Sequence, residues 1–292
     1  PRVVIVHRRS EYDELIARHG TRGQAAFFLQ TRGQDLGPVL ERHQHTQQVL
    51  DDASRSIPSD WRRAQVERGD LAQFVFSPED ILVVVGQDGL VANVAKYVQV
   101  QPVIGVDPLP GANAGVLVPH RGSDVSRLLR SVADGSAQIL ARTMVQAESD
   151  DGQTLVALNE IFIGQPSHQS ARYTLEYAKG RERQSSSGVI VSTGTGATGW
   201  CRSIHQIQAP SMPLPAPDAH PLPWFVREPW PSPSTGAGLR SGIISSDDQF
   251  SLRVESDSLV VFGDGMEEDR ITLGWGQLLR VCKADRVLRT VK

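Results

Sequence analysis

The sequence predicts an α/β protein with an amino-terminal open α/β (Rossmann-like) domain and a carboxy-terminal β-rich domain. Three observations carry this expectation. The chain has 292 residues, a length that suits about two domains. From Arg2 to Val106, short β-branched runs alternate with helical patterns, the rhythm of an open sheet with helices packed on it. Beyond Val132, helical periodicity gives way to short strand candidates punctuated by turn residues. The expected domains are 1–121 and 122–292.

Arg2–His7 is a β-branched opening strand. From Glu11 to about Arg68 the pattern is helical, with apolar residues such as Leu15, Ile16, Phe27, Phe28, Leu29, Val39 and Leu40. Its arginine-rich end, Arg55 to Arg68, reads as a solvated helix face. Thr-Arg-Gly-Gln occurs at 21–24 and 31–34, a single echo without the period of a repeat protein. Asp80–Val85 is fully apolar after its first residue, as a buried parallel strand requires. Gly86-Gln87-Asp88-Gly89 breaks it, Leu90–Val98 is the following helix, and Val103–Val106 is a strand ended by Asp107-Pro108. Ser123–Val132 is a helix. The later strand candidates are Gln138–Val145, Thr154–Leu158, Ile161–Ile163, Arg172–Glu176, Gly188–Val191, Trp224–Val226, Ser251–Val254, Leu259–Val261 and Leu278–Val281. A proline-rich insertion at about 209–237 interrupts them, with nine of the chain's 18 prolines between Pro210 and Pro233. It is expected to be an extended surface loop, dispensable for folding.

Composition narrows the function classes. Thirty basic and 33 acidic residues leave a net charge of −3, so no global basic excess points to nucleic acid. Two cysteines, Cys201 and Cys282, are too few for a disulfide framework or a cysteine-rich zinc site. His43 and His45 lie two apart on a predicted helix and do not face each other as a ligand pair would. No apolar run reaches about 18 residues and the amino end has no signal-peptide pattern, so a cytoplasmic setting without membrane partners is the expectation.

The stretch from Gly188 to Trp200 carries the chemistry. A β-branched strand feeds Ser192-Thr-Gly-Thr-Gly-Ala-Thr-Gly199, a loop of small and hydroxylated residues able to meet phosphate or ribose oxygens. Trp200, Ile204 and Ile207 recur at helical spacing, which would aim a helix N-terminus at the ligand. Gly194 to Gly199 matches G-x-G-x-x-G literally, yet the helix runs into Pro210, Pro213, Pro215 and Pro217 where a second parallel strand is needed. The dinucleotide fingerprint is therefore rejected, leaving a nucleotide loop of another kind or a plain glycine-rich turn.

Elsewhere, Asp88 between two glycines suits a carboxylate that takes a proton from an attacking hydroxyl, or an ordinary turn residue. Asn159-Glu160 offers an amide and a carboxylate at a strand end, for ribose hydroxyls or a base edge, or as a capping pair. Thr195, Thr198 and Ser203 supply hydroxyls, and Trp200 supplies a flat face for a base or simply core. Gly263-Asp264-Gly265 fits a hairpin turn as readily as a binding loop.

Taken in order, Gly86-Gln-Asp88-Gly89, Asn159-Glu160, Ser192 to Trp200, Arg227-Glu-Pro229 and Val260-Val-Phe-Gly-Asp264-Gly265 resemble the NAD kinase family, within the superfamily that also holds diacylglycerol and sphingosine kinases. The resemblance runs from Ile81 to about Val281. It implies the NAD kinase type of fold and an ATP-dependent phosphotransferase acting on a hydroxyl of NAD or of a related nucleoside or sugar. ATP (or another phosphoryl donor) and Mg2+ would be the cofactors and Asp88 the base. Gly86, Gln87 and Gly89 would form the donor loop; Asn159, Glu160, Thr195, Gly196, Thr198, Gly199, Trp200, Ser203 and Asp264 would hold the acceptor. The expected partners are that acceptor and further copies of the chain. The departures are Gln87 and Leu90 for the family's second glycine and threonine, Ser187 for an aspartate, Gly194, Ala197 and Trp200 within the loop, and an unmatched amino-terminal 75 residues. They leave room for a catalytically silent nucleotide-binding protein, and the superfamily for a lipid kinase.

Overall fold

The computed structural model describes residues 1–112, 115–246 and 248–292. They form two compact units, Pro1–Leu140 with Arg289–Lys292, and Ala141–Leu288.

The first unit contains β1 (Arg2–His7), α1 (Glu11–His19), α2 (Arg22–Gln30), α3 (Leu36–Arg55), β2 (Arg62–Glu67), β3 (Asp80–Val85), α4 (Asp88–Ala95), β4 (Pro102–Val106) and α5 (Val125–Ala133). The strands lie in the order β2-β1-β3-β4, every pair parallel. All six residues of β3 are buried, as an interior parallel strand with helices on both faces demands.

The single helical stretch expected from Glu11 to Arg68 is three helices and a strand. Ser10 caps α1 in a reciprocal box with Asp13, and Gly20, at φ +80°, closes it. Thr21 and Asp35 cap the next two helices through their side-chain oxygens. After Arg55 the chain turns into β2, so the arginine-rich stretch is not a helix face. Only Val66 of β2 is buried. A charged edge strand with one inward residue shows no alternation to read, and its charges discourage further strand pairing.

The expected boundary at 121/122 precedes α5, whose Val125, Leu128 and Leu129 join the core formed by Val3, Ile5, Val83, Val85 and Ile104. Helix and sheet share one apolar cluster, which is why this unit extends to Leu140.

The second unit holds β5 (Ile139–Ser149), β6 (Thr154–Ala157), β7 (Glu160–Gly164), β8 (Ala171–Tyr177), β9 (Gly180–Ser186), β10 (Gly188–Ser192), α6 (Trp200–Gln208), β11 (Leu222–Arg227), β12 (Ser241–Ile244), β13 (Phe250–Val254), β14 (Ser258–Gly263), β15 (Met266–Gly274) and most of β16 (Leu278–Val291). One antiparallel set runs β16-β13-β8-β9, with β5 and β6 attached. The other sheet runs β12-β11-β10-β7-β14-β15, also antiparallel. Val189, Val191, Ile161, Ile163 and Trp224 of this sheet meet Tyr173, Leu175 and Leu252 of the first in one core. Alternation then turns Ile190, Phe162 and Phe225 outward, where Cys201 and Ile204 of α6 cover them. Ile207, expected on that apolar face, is 82% exposed.

The proline-rich insertion is not a free loop. β11 lies inside it, between β10 and β12. Pro223 is tolerated because the register with β10 ends at Val191↔Trp224, so this proline has β12 alone beside it. The segment before β11 is tied down: Thr143 N–H donates to Pro217 O at 2.9 Å, and Met212 and Leu214 pack beneath α6. These contacts weigh against the dispensability expected from composition, since composition does not show which carbonyls and apolar side chains find partners.

Candidate functional site

Asp264 organises the site in the β-rich unit. It sits in the turn between β14 and β15 at φ +56°, a left-handed conformation that aspartate tolerates better than most residues. Its carboxylate accepts the N–H groups of Leu158 at 2.9 Å and Asn159 at 2.6 Å. Asp264 N–H in turn donates to Glu160 O at 3.0 Å. Asp264 is thus the hairpin turn, and it holds the Asn159-Glu160 backbone rather than offering both oxygens outward.

The glycine-rich loop is fastened to the same pair. Thr193 N–H and Ser192 Oγ donate to Asn159 O at 2.9 and 3.0 Å. Thr193 Oγ1 donates to Leu158 O at 2.6 Å and accepts from Thr195 N–H and Gly196 N–H. Two glycines serve this packing. A Cβ on Gly194 would stand 1.9 Å from Ala216 O, and one on Gly196 would stand 2.2 Å from Asn159 O. Their bare faces are filled by the protein's own backbone, not left for a ligand. Gly199 is different, with 3.8 Å to its nearest atom.

With the backbone locked, the side chains of Asn159 and Glu160 accept or donate no hydrogen bond within the protein among the described residues. Both are half-buried. Burial, reinforced by the charge of Asp264, pushes the Glu160 carboxyl up to about 7. The neighbouring Cys201 thiol is pushed up to about 11 by burial, against a hydrogen bond from Ser192 that lowers it. Cys201 is therefore a core thiol and no nucleophile at neutral pH.

Thr195 is buried, its hydroxyl accepting from Arg142 Nη1 at 3.4 Å, whereas Thr198 is exposed with its hydroxyl donating to Thr195 O at 2.9 Å. Trp200 is 37% exposed and already stacked in the protein, 5.7 Å from the Phe162 ring centroid with Arg227 Cζ 5.2 Å from its own. Ser203 lies on the exposed side of α6. Buried Arg142 was missed by sequence reasoning; its signal is a lone cation within the apolar strand β5.

In the first unit, Gly86 to Gly89 lies at the carboxyl end of β3, where open α/β sheets place their ligands. Asp88 opens α4. Its two oxygens accept Val116 N–H at 3.0 Å and Leu117 N–H at 2.8 Å, leaving lone pairs for one further donor. Gly86 is buried under Leu90, whose Cδ2 lies 2.8 Å from where a Cβ would stand, and Gln87 and Gly89 are exposed.

An open parallel sheet joined to a β-rich unit whose Asn-Glu pair, glycine loop and Asp-Gly turn converge is the NAD kinase type of fold. The chain matches a crystal structure of an NAD kinase from Archaeoglobus fulgidus in complex with ATP with a TM-score of 0.65, covering 100% of this chain and 94% of that one at 15% identity. Its sequence is NAD kinase-like as well, and divergent. It is 30% identical over 128 residues to the NAD kinase of Rickettsia bellii, covering 41% of this chain and 48% of that protein. Identity to the NAD kinase of Rickettsia felis is 29% over 128 residues, with the same shares. The chain spans about half the length of the curated relatives it matches. No family model matches it.

Proposed function

We propose that this chain is a kinase that transfers a phosphoryl group from ATP to a hydroxyl of NAD or of a related nucleoside, and so belongs to NADP biosynthesis where NAD is the acceptor. The observation that carries this reading is the Asn159 amide and the Glu160 carboxyl, without hydrogen-bond partners among the described residues, on a backbone locked by Asp264 and Thr193. Polar groups held half-buried without protein partners are suited to a ligand that supplies them. An amide and a carboxyl able to exist in both forms near neutral pH can read a base edge or ribose hydroxyls. Thr198, on the loop fastened to Asn159, would add a hydroxyl.

Asp88 would take the proton of the attacking hydroxyl. Two backbone amides orient its carboxylate while lone pairs remain to accept that proton. Phosphoryl transfer otherwise rests on positioning and charge neutralisation. Among the described residues no group of three or more His, Cys, Asp or Glu is arranged to hold a metal. A Mg2+ ion, carried largely by the donor's phosphates with one or two carboxylates of the protein, would neutralise the charge of the transferred group.

The test is a turnover assay with ATP and Mg2+ against NAD, a panel of nucleosides and a diacylglycerol. Phosphorylated NAD or nucleoside supports the reading. Product from the lipid alone would replace it with a lipid kinase. Tight nucleotide binding without product would make the chain a sensor or scaffold, the alternative favoured by Gln87 and Leu90.

A further inference from the structure

We propose that Arg8 and Arg9 form the anchor for the linked phosphates of the phosphoryl donor, a reading that rests on the kinase function proposed above. β1 ends at His7 and β3 at Val85, and the strands are parallel neighbours with Val6 opposite Val84. Continuing that register sets Arg8 beside Gly86 at the carboxyl edge of the sheet. The two arginines therefore follow β1 as the Gly86–Gly89 loop follows β3, at the edge where an open parallel sheet receives its ligand.

Both arginines are exposed, and neither has an ion pair or hydrogen bond among the described residues. Two of the acidic groups on α1, and Asp88 of the loop, already have partners. Glu11 pairs with Arg42 at 2.7 Å, Asp13 accepts Ser10 N–H at 3.0 Å, and Asp88 is held by Val116 and Leu117. Two adjacent exposed guanidinium groups thus have no ion pair among the described residues, and guanidinium forks match phosphate oxygens in pairs.

The loop itself shows why such an anchor is needed. Leu90, 3% exposed, fills the space over Gly86 with a hydrocarbon side chain. Gln87 stands where a glycine would let phosphate approach the backbone. A loop with neither a hydroxyl nor an open backbone at these positions neutralises little phosphate charge, and Arg8 and Arg9 supply it from the adjoining strand.

The probe is inorganic tripolyphosphate, titrated calorimetrically into the whole protein, with ATP and AMP as companion ligands. Arg8→Gln/Arg9→Gln should weaken tripolyphosphate and ATP binding about tenfold or more, leave AMP binding unchanged, and abolish most of the salt dependence. Arg8→Lys/Arg9→Lys should retain part of the binding. The control is Arg62→Gln/Arg63→Gln, which removes the same charge from exposed residues at the opposite end of the same sheet, on β2. Unchanged tripolyphosphate affinity in the Arg8/Arg9 variant, equal loss in the control, or no binding to the wild type would each overturn the anchor. Tripolyphosphate binding that needs Arg8 and Arg9, in a protein with no kinase turnover, would keep the anchor and remove the kinase reading.

Discussion

Glu160 is a carboxyl whose proton affinity the fold changes and the sequence does not show. Half-buried next to Asp264, it is raised from 4.5 to about 7. The sign follows directly: between these values the folded state holds a proton that the unfolded state has released, so stability falls as pH rises from about 4.5 to about 7. The shift corresponds to about 3 kcal/mol at full ionisation. Glu160→Gln should remove this slope, gaining on the wild type at pH 8 relative to pH 5 in urea denaturation. Parallel profiles for the two proteins would show that the carboxyl is not shifted. Asp88 requires a different measurement, because its contacts to Val116 and Leu117 give it a structural role as well. Asp88→Asn keeps one acceptor oxygen and loses the base, so turnover per folded molecule should fall about 10²- to 10⁴-fold while nucleotide affinity changes little. Turnover equal to the wild type would leave Asp88 a turn residue alone.

At the scale of an element, the loop between β10 and α6 reads as a ligand loop from its glycines, and two of those glycines have another reason. Its glycines suggest access for a ligand, whereas Gly194 and Gly196 admit Ala216 O and Asn159 O. Which neighbour fills a bare Cα cannot be read from the loop, because Asn159 and Ala216 are distant in sequence. A contrast tests this. Gly196→Ala drives a methyl into a backbone carbonyl and should cost about 1–3 kcal/mol, the usual worth of overpacking, and displace Asn159. Gly199→Ala has open space and should leave the melting temperature near the wild-type value. Similar melting for the two variants would contradict the packing described. The same limit explains three of the strands that were not anticipated. β2, β9 and β15 are polar edge or near-edge strands, and their residues carry no alternation strong enough to mark them.

For the whole molecule, the division into units is a matter of contacts and not of order along the chain. The last residues return to the first unit: Arg289 and Thr290 pair with Pro102 and Val103 of β4 in parallel, Val291 is buried in that core, and Lys292 N–H donates to Gln138 O at 2.9 Å. Removing Arg289–Lys292 should therefore destabilise the first unit by at least about 2 kcal/mol, the loss of a buried valine and several backbone bonds. A urea transition unchanged by the truncation would show that this strand end adds nothing.

Local signals determined much of this protein by themselves. The apolar run of β3 announced a buried parallel strand, the change from helical to strand periodicity marked the β-rich half, and the ordered motifs pointed to an NAD kinase type of fold. The carboxylate of Asp88 at a strand end and the Asn159-Glu160 pair were visible for the same reason, since each depends on neighbours in sequence. Only the tertiary structure decided that Asp264 locks Asn159, that Glu160 holds its proton to near neutrality, and that prolines after α6 pack into the unit. Those outcomes depend on burial and on hydrogen bonds between residues about a hundred positions apart, such as Asp264 and Asn159, and no local pattern encodes them.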